Sequence, residues 1–415
     1  MSRLGFCGEW FLSTCGKKLI AIHTKESSEP FVFDCCCAEK RPKSAKDVNG
    51  SDGDALEDPG SDSILAFAVS SSGKLMALTD DTKRLVLFHC EPSWHCVSIR
   101  WVTRRSTSLV FSQAEEELLV ADKSGDVYSF SVVEPQREGE LKMGHLSMLL
   151  AVTISPDDQY IITADRDEKI RVSHHKSPYN IQSYCLGHHQ FVTTLQIPAE
   201  HPHWLLSGSG DGTVKLWEFE SGRRLQNWDL KQLEDTLSSD ATKRKNIAVF
   251  RVSSSPDGRD VAVLCVGVMK VYIFTLDQNS DEKLVPHSQL QLPHNPLDID
   301  FDLEGRLWVL LNSREVPLQI HTLTQNSWEC ETENSILSRV TDILRTHWST
   351  TDDFRSITNH FEHLYKVGFD NVSVYLQKKQ QRIEEHELKR SNAQKIKCNK
   401  RPKEEPDEVL SQPSA

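Results

Sequence analysis

The chain has 415 residues, with 48 Lys and Arg against 60 Asp and Glu, which gives a formal net charge of −12. This charge excludes a globally basic nucleic-acid coat protein but is compatible with a local basic patch. Hydrophobic residues make up 38% of the chain, which is low for a globular protein and predicts that part of the chain is disordered. No apolar run approaches the roughly 18 residues that span a bilayer. The eleven scattered cysteines favour a soluble protein of a reducing compartment.

The first predicted unit lies near the N-terminus, where three strand-like pieces between Trp10 and Asp34 predict a small sheet over about 8–36. Residues 37–62 follow and are rich in Ser, Asp, Gly and Pro. From Asp47 to Asp62 there are six acidic residues and no basic one. This composition predicts an acidic, disordered insertion.

A repeat of one strand, a tight polar turn and a second strand begins after the insertion. Aligning four of its turns superimposes Asp81, Ser124, Asp167 and Asp211, at spacings of 43, 43 and 44 residues. That period is typical of WD40 propeller blades, which repeat every ~40–45 residues.

The repeat predicts an all-β fold, a seven-bladed WD40 β-propeller over 1–330, because a closed ring leaves no long sheet edge exposed. The predicted blades cover about 8–36, 64–100, 107–142, 148–186, 191–228, 246–290 and 296–330. A C-terminal extension follows over 331–390, with a helix predicted at about 369–390 from its apolar spacing. Residues 391–415 are expected to form a disordered tail, first basic and then acidic.

Some blades carry residues for an internal hydrogen-bond network that would fix the loops of the propeller. His188, Ser207, Asp211 and Trp217 supply the complete set, in which a histidine, a strand hydroxyl, a turn carboxylate and an indole bond together. The preceding blade offers His145, Thr163 and Asp167, with Ser173 where the tryptophan would stand.

The sequence offers no catalytic constellation. The stretch from Gly208 to Gly212 resembles a nucleotide-binding loop, but it lies between two strands and not before a helix, so a tight turn is the better interpretation. Cys35, Cys36 and Cys37 have no matching His or Cys cluster at zinc spacing, and a strand end with buried thiols is expected instead. The pattern therefore predicts a binding scaffold with no metal site and no enzymatic activity of its own.

Basic residues gather in the turns and inter-blade loops that open on one face of a propeller. The positions are Lys83, Arg84, Arg104, Arg105 and Lys123, followed by Arg166 and Lys169. Such a stripe could track a phosphate backbone without reading sequence, although ordinary solvated loops are also often charged. Residues 378–403 add ten Lys or Arg against three Glu, which is compatible with a nuclear localisation signal, an RNA-contacting arm or a solvated tail.

The turn from Asp165 to Arg171 is the most densely charged in the repeat. Asp167 is expected to be structural, whereas Glu168, Lys169 and Arg171 could form salt bridges to a partner or to each other.

These stretches together resemble one family, the WD-repeat non-catalytic subunits of the eukaryotic tRNA guanine-N7 methyltransferase. The matching stretches are Leu78–Leu85, Val120–Ser131, Gly144–Leu150, Thr163–Ser173, Leu186–His188, Leu364–Lys366 and Phe369–Val372. The similarity is strong over about 64–220, looser over the remaining blades, and returns near 360–380. The run from Ala164 to Val172 is far more specific than the general blade spacing.

The resemblance implies a heterodimer in which a separate subunit holds S-adenosylmethionine and does the chemistry. This chain would bind no cofactor, would stabilise the catalytic subunit and would help to seat the tRNA for N7-methylation of its variable-loop guanine. Partner contact would centre on the turn with Asp165, Arg166, Glu168, Lys169 and Arg171. The expected location is the nucleus, with a cytoplasmic fraction also compatible. An interaction adaptor, such as a substrate receptor of a ubiquitin ligase, is the alternative, but no Trp-Asp-x-Arg follows a blade end.

Overall fold

The computed structural model describes residues 2–41, 60–235, 247–332, 334–347, 361–366 and 379–380. Most of the predicted acidic insertion and the whole of the predicted tail lie outside these ranges. The predicted helix at 369–390 also lies outside them, except for residues 379–380, which are helical.

Seven four-stranded antiparallel sheets form within the described residues, each from consecutive strands of the chain. They are blade 1 with β1 (Arg3–Cys7), β2 (Trp10–Cys15), β3 (Lys18–His23) and β4 (Phe31–Asp34); blade 2 with β5 (Ile64–Val69), β6 (Leu75–Asp80), β7 (Arg84–His89) and β8 (His95–Trp101); blade 3 with β9 (Ser106–Phe111), β10 (Glu117–Asp122), β11 (Asp126–Ser131) and β12 (Glu140–Gly144); blade 4 with β13 (Leu149–Ile154), β14 (Tyr160–Asp165), β15 (Ile170–His174) and β16 (Ile181–Cys185); blade 5 with β17 (Val192–Gln196), β18 (Trp204–Ser209), β19 (Thr213–Glu218) and β20 (Arg223–Asp229); blade 6 with β21 (Val249–Ser254), β22 (Asp260–Cys265), β23 (Lys270–Leu276) and β24 (Leu284–Gln291); and blade 7 with β25 (Pro296–Phe301), β26 (Leu307–Leu311), β27 (Leu318–Thr324) and β28 (Ser327–Cys330).

This arrangement confirms the predicted seven-bladed propeller, with blade 1 beginning earlier than expected, at Arg3. The first strand of each blade lies innermost and packs beside the first strands of neighbouring blades. The second strand is buried on both faces, as in β10, where every residue from Leu118 to Asp122 is buried. The outermost strand is largely exposed, as in β16. Burial therefore decreases outward along each blade, because neighbouring blades cover the inner strands.

The ring closes between blades 7 and 1 without exchanging a strand, because β1 remains part of blade 1. The backbone N–H of Leu4 in β1 donates to Asp298 Oδ2 in β25, at 3.0 Å. A helix, α2 (Ser335–His347), braces this seam, in a region where the sequence predicted no element. Arg339 of α2 donates to the carbonyl oxygens of Thr24 at 2.9 Å and Glu26 at 2.6 Å in blade 1.

The same helix is anchored to blade 7. Arg345 Nε donates to the carbonyl oxygen of Arg314, at 3.4 Å, in the turn before β27. Val340 and Leu344 are buried in a cluster that includes residues of both blades. Therefore α2 holds the first and last blades together by packing and hydrogen bonds where a shared strand is missing.

Two other local features bear on the sequence predictions. Cys35–Cys37 forms one turn of 3-10 helix in which Cys35 is buried and Cys36 and Cys37 are exposed. The expected strand end with buried thiols is therefore wrong for two of the three.

A short helix, α1 (Leu230–Asp235), follows blade 5. No helix in the described ranges is both long and apolar enough to cross a membrane.

Candidate partner and RNA interface

One face of the propeller, called the top face, carries the turns between the second and third strands of each blade and the loops that join consecutive blades. Hydrogen bonds link the two kinds of segment: Arg166 N donates to Met148 O at 2.9 Å, and Asp81 N donates to Ser63 O at 2.9 Å. The turns are thus held by the loops of the preceding blade junction.

Blade 5 contains the complete network predicted from the sequence. Trp217 Nε1 donates to Ser207 Oγ at 2.8 Å, and His188 Nε2 lies 2.7 Å from the same oxygen. His188 Nδ1 lies 3.1 Å from Asp211 Oδ2. Burial lowers the pKa of His188, although Asp211 opposes that shift. A neutral imidazole that donates from Nδ1 and accepts the Ser207 proton at Nε2 satisfies every atom of the network.

Blade 4 has a related network around a different carboxylate. His145 Nε2 lies 2.8 Å from Thr163 Oγ1, as expected, but the carboxylate shown beside its Nδ1 is Asp165, at 3.5 Å, where the sequence placed Asp167. Asp165 Oδ1 also accepts the N–H of Lys169 at 3.0 Å, and the residue is 3% exposed. Asp165 therefore shapes the turn from inside, which contradicts its expected role as a direct partner contact.

The turns superimpose by backbone conformation more closely than by their aspartates. The residue with positive φ in successive turns is Lys83, Gly125, Glu168 and Gly212, at φ of 71°, 99°, 74° and 82°. In blade 2 the sequence alignment was therefore shifted by one residue, and Thr82 stands where Asp81 was expected. Two charged side chains, Lys83 and Glu168, occupy a conformation that usually favours glycine.

The charged turn of blade 4 presents its remaining residues at the top face. Lys169 is exposed, and Arg166 and Glu168 are half-buried. Arg166 donates from Nε to Leu364 O at 3.1 Å and from Nη2 to His363 O at 3.3 Å. Nothing in the sequence signalled this contact beyond the family resemblance at Leu364–Lys366.

Arg171 is half-buried beside the same turn. Its Nη1 donates to Gly144 O at 3.2 Å, and it stands opposite Tyr184 on the adjacent strand. Its buried Nε has no hydrogen-bond partner within the described ranges. Desolvation lowers the pKa of Arg171, although Tyr184 and Asp165 act in the opposite direction. Arg171 is thus a partly desolvated cation, which loses less hydration than a fully exposed one when another molecule pairs with it.

Four cations lie along the top face of blades 2 and 3 and are called the basic stripe: Lys83, Arg104, Arg105 and Lys123. Arg104 and Lys123 are exposed, and the other two are half-buried. Arg105 Nε donates to Asp81 O at 3.0 Å, and Arg105 O accepts the N–H of Lys123 at 3.2 Å. Desolvation, and then the charge of Arg105, lower the pKa of Lys123. The structure thus brings these predicted residues together on one face.

Arg84 does not join the stripe, which contradicts its predicted contact with RNA. It is 1% exposed, and its Nε donates to Asp80 Oδ2 at 2.6 Å. Its Nη2 pairs with Asp62, and its Nη1 donates to Ala38 O at 3.3 Å. Burial alone would lower the pKa of Arg84, but the charges of Asp80 and Asp62 raise it. Arg84 is therefore an internal cation that ties the start of blade 2 to the residues around the insertion.

Comparison with known proteins places this chain in one family. The profile described as "tRNA methyltransferase TRM82 WD40 domain" matches residues 17–141 and 131–336. The chain is 54% identical, over 96% of both chains, to the "tRNA (guanine-N(7)-)-methyltransferase non-catalytic subunit wdr4" of Danio rerio. It is 43% identical to the protein of the same description from Homo sapiens, over 90% of this chain and 89% of that one. It is 30% identical to the subunit "wuho" of Culex quinquefasciatus, over 83% and 82%.

Solved structures show the fold alone, since their identities are low. The WD40 repeats of RRP9 superimpose with a TM-score of 0.58 at 18% identity, covering 74% of this chain and 86% of that one. A chain of the mitotic checkpoint complex superimposes with a TM-score of 0.57 at 12% identity, over 75% and 86%. With the family profile spanning blades 1 to 7 and relatives aligned over nearly their whole length, this chain belongs to the tRNA methyltransferase TRM82 WD40 family.

Proposed function

We propose that this chain is the non-catalytic scaffold subunit of a tRNA guanine-N7 methyltransferase heterodimer. It binds and stabilises the catalytic subunit, and it helps to position tRNA for N7-methylation of the variable-loop guanine. The observation that carries this proposal is the alignment with non-catalytic subunits over nearly the whole of both chains. The alternative of a ubiquitin-ligase adaptor has no comparable support.

The division of labour assigns S-adenosylmethionine to the catalytic partner. The glycines from Gly208 to Gly212 have a packing role that needs no nucleotide. A Cβ at Gly208 would lie 2.4 Å from Val249 Cγ1, and one at Gly210 would lie 2.4 Å from the Phe191 ring. These glycines let the strand of blade 5 approach its neighbours closely, which accounts for their presence in the turn.

The two charged areas of the top face receive different ligands in this proposal. Glu168, Lys169 and Arg171 contact the catalytic subunit, and the basic stripe contacts the phosphate backbone of the tRNA. The basic stripe lies on blades 2 and 3, and the charged turn lies on the next blade, blade 4. One tRNA therefore meets the stripe while the catalytic subunit occupies blade 4. The basic run from Lys395 to Lys403 supports a nuclear location, with a cytoplasmic fraction also compatible.

The test of this function is to purify the chain with the catalytic subunit and to assay N7-methylation of tRNA, with this chain alone as the control. We expect the complex to methylate and this chain alone to be inactive. A complex that forms but methylates no better than the catalytic subunit alone would refute the scaffold role. Stable association with ubiquitin-ligase subunits and not with the methyltransferase would favour the adaptor.

Position 168 allows a sharp test of the partner contact. Glu168→Gly removes the carboxylate while giving the φ of 74° to the residue that adopts it most readily. We therefore expect the variant to unfold no more easily than the parent and to bind the catalytic subunit more weakly. Unchanged affinity would show that Glu168 does not contact the partner.

A further inference from the structure

The five residues from Phe361 to Tyr365 form a segment, here called the C-terminal strap, that lies across the tops of three blades. Phe361 stacks on Phe191 of the blade 4–5 junction, with centroids 6.0 Å apart, and lies 6.2 Å from Phe250 of blade 6. Leu364 is buried in the hydrophobic cluster that also contains Phe361 and Phe191. The strap is therefore packed into the ring and is not a loose connection.

Tyr365 fixes the other end of the strap. Its ring meets Phe191 edge-on at 4.9 Å, and its hydroxyl donates to Gly210 O at 3.1 Å. Burial, and then the charge of Asp211, raise the pKa of Tyr365 to about 12, so the hydroxyl keeps its proton and its hydrogen bond. Aromatic packing at both ends thus sets the path of the main chain between them.

That main chain holds Arg166, the second residue of the charged turn of blade 4. The carbonyl oxygens of His363 and Leu364 accept from two nitrogens of its guanidinium, at 3.3 and 3.1 Å. An arginine side chain without such contacts samples many rotamers, and ordering it during binding costs affinity. Here two hydrogen bonds restrict the side chain before any partner arrives.

We propose that the C-terminal strap is a positioning element for the catalytic subunit's docking site: it fixes Arg166 and, through it, the conformation of the charged turn. This inference rests on the proposed function, since it takes the methyltransferase subunit to be the molecule that docks on the turn. It assigns a C-terminal segment, 198 residues from Arg166 at Leu364, to the same interface as blade 4. Without the strap, Arg166 loses both main-chain acceptors, and the turn must be ordered during binding.

The experiment measures the dissociation constant for the catalytic subunit with the full-length chain. The variants are Phe361→Ala with Tyr365→Ala, Arg166→Ala, and all three changes together. We expect the double variant of the strap and Arg166→Ala each to raise the dissociation constant about tenfold. The triple variant should have a dissociation constant no higher than that of either. Such non-additivity shows that the strap acts through Arg166. Additive losses, or a strap pair that binds as the parent does, would overturn the proposal.

Two controls separate positioning from general destabilisation. Val86→Ala lies in the core between blades 1 and 2, in a cluster that contains no residue of the strap. It should lower the melting temperature while its affinity stays within about twofold of the parent. Tyr365→Phe removes only the bond to Gly210 and should have an intermediate effect. If Val86→Ala weakens binding as much as the strap pair, the strap is merely structural. If the parent itself does not bind the methyltransferase subunit, the proposed function fails, and the strap is not the cause.

Discussion

The buried cation Arg84 gives the strongest test of how the charged residues of the top face divide. In Arg84→Met the carboxylate of Asp80, which is 0% exposed, loses the guanidinium 2.6 Å away. Removing one partner of a buried ion pair costs about 3–5 kcal/mol, because the other charge stays buried and uncompensated. Asp80 Oδ1 still accepts the N–H groups of Thr82 and residue 84, both at 3.0 Å. We therefore expect a loss near the lower limit, about 3 kcal/mol.

The assay is equilibrium unfolding in urea, followed by tryptophan fluorescence, together with tRNA binding by the assembled complex. Lys83→Gly is the matched control, since it removes the adjacent charge and suits the φ of 71°. We expect Lys83→Gly to weaken tRNA binding with little change in stability, and Arg84→Met to do the reverse. If Arg84→Met is as stable as the parent and binds tRNA as weakly as Lys83→Gly, Arg84 belongs to the stripe after all.

Three further predictions follow from the same geometry. Alanine at Arg104 and Lys123, the exposed members of the basic stripe, should lower the slope of log affinity for tRNA against log salt by about 2, and an unchanged slope would mean that neither meets a phosphate. Ser207→Ala should cost about 2–3 kcal/mol in urea unfolding, because it leaves two buried ring nitrogens without a partner; a loss below about 0.5 kcal/mol would contradict the network. The pair of Glu117 and His175, 3.0 Å apart, joins blades 3 and 4, and its hydrogen bond lowers the pKa of the acid to about 2 and raises that of the histidine. The stability that Glu117 contributes to the fold is present above about pH 4.5 and is lost as pH falls toward 2. The stability that His175 contributes is present below about pH 6.5 and is lost as pH rises through its raised pKa. Glu117→Gln should therefore cost more stability at pH 6, about 1 kcal/mol, than at pH 9, and an equal cost at both would exclude this pair as the source.

The blades were predictable because each contains strongly apolar strands separated by a turn at a constant interval. The network of His188, Ser207, Asp211 and Trp217 was predictable for the same reason, since its members recur at fixed places in the period. Small offsets within that period could not be predicted. Thr82 stands where Asp81 was expected, and Asp165 lies beside His145 where Asp167 was expected. Both differences depend on the backbone conformation of a turn, and the sequence does not show which of two nearby acidic residues that conformation turns inward.

The environment of each charge was harder to predict than the blades. Arg84 and Lys83 are neighbours in the sequence, and both precede the third strand of blade 2. The side chain of Arg84 points between carboxylates, and that of Lys83 is half-buried at the top face. Asp62, the second carboxylate near Arg84, belongs to the far end of the insertion. Contacts between distant segments, such as Arg166 with the strap or Arg339 with blade 1, are likewise absent from any local pattern.

The contiguity of every blade has a consequence for synthesis on the ribosome. Each sheet consists of consecutive strands, so each blade can complete its own hydrogen bonds soon after it emerges. The seam between the first and last blades cannot form until β25 has been translated, because it joins β1 to β25. Its brace, α2, is translated after all 28 described strands. A nascent chain ending before residue 335 would hold seven finished sheets and an unbraced joint. The closed ring is therefore braced last, by thirteen residues that no blade contains.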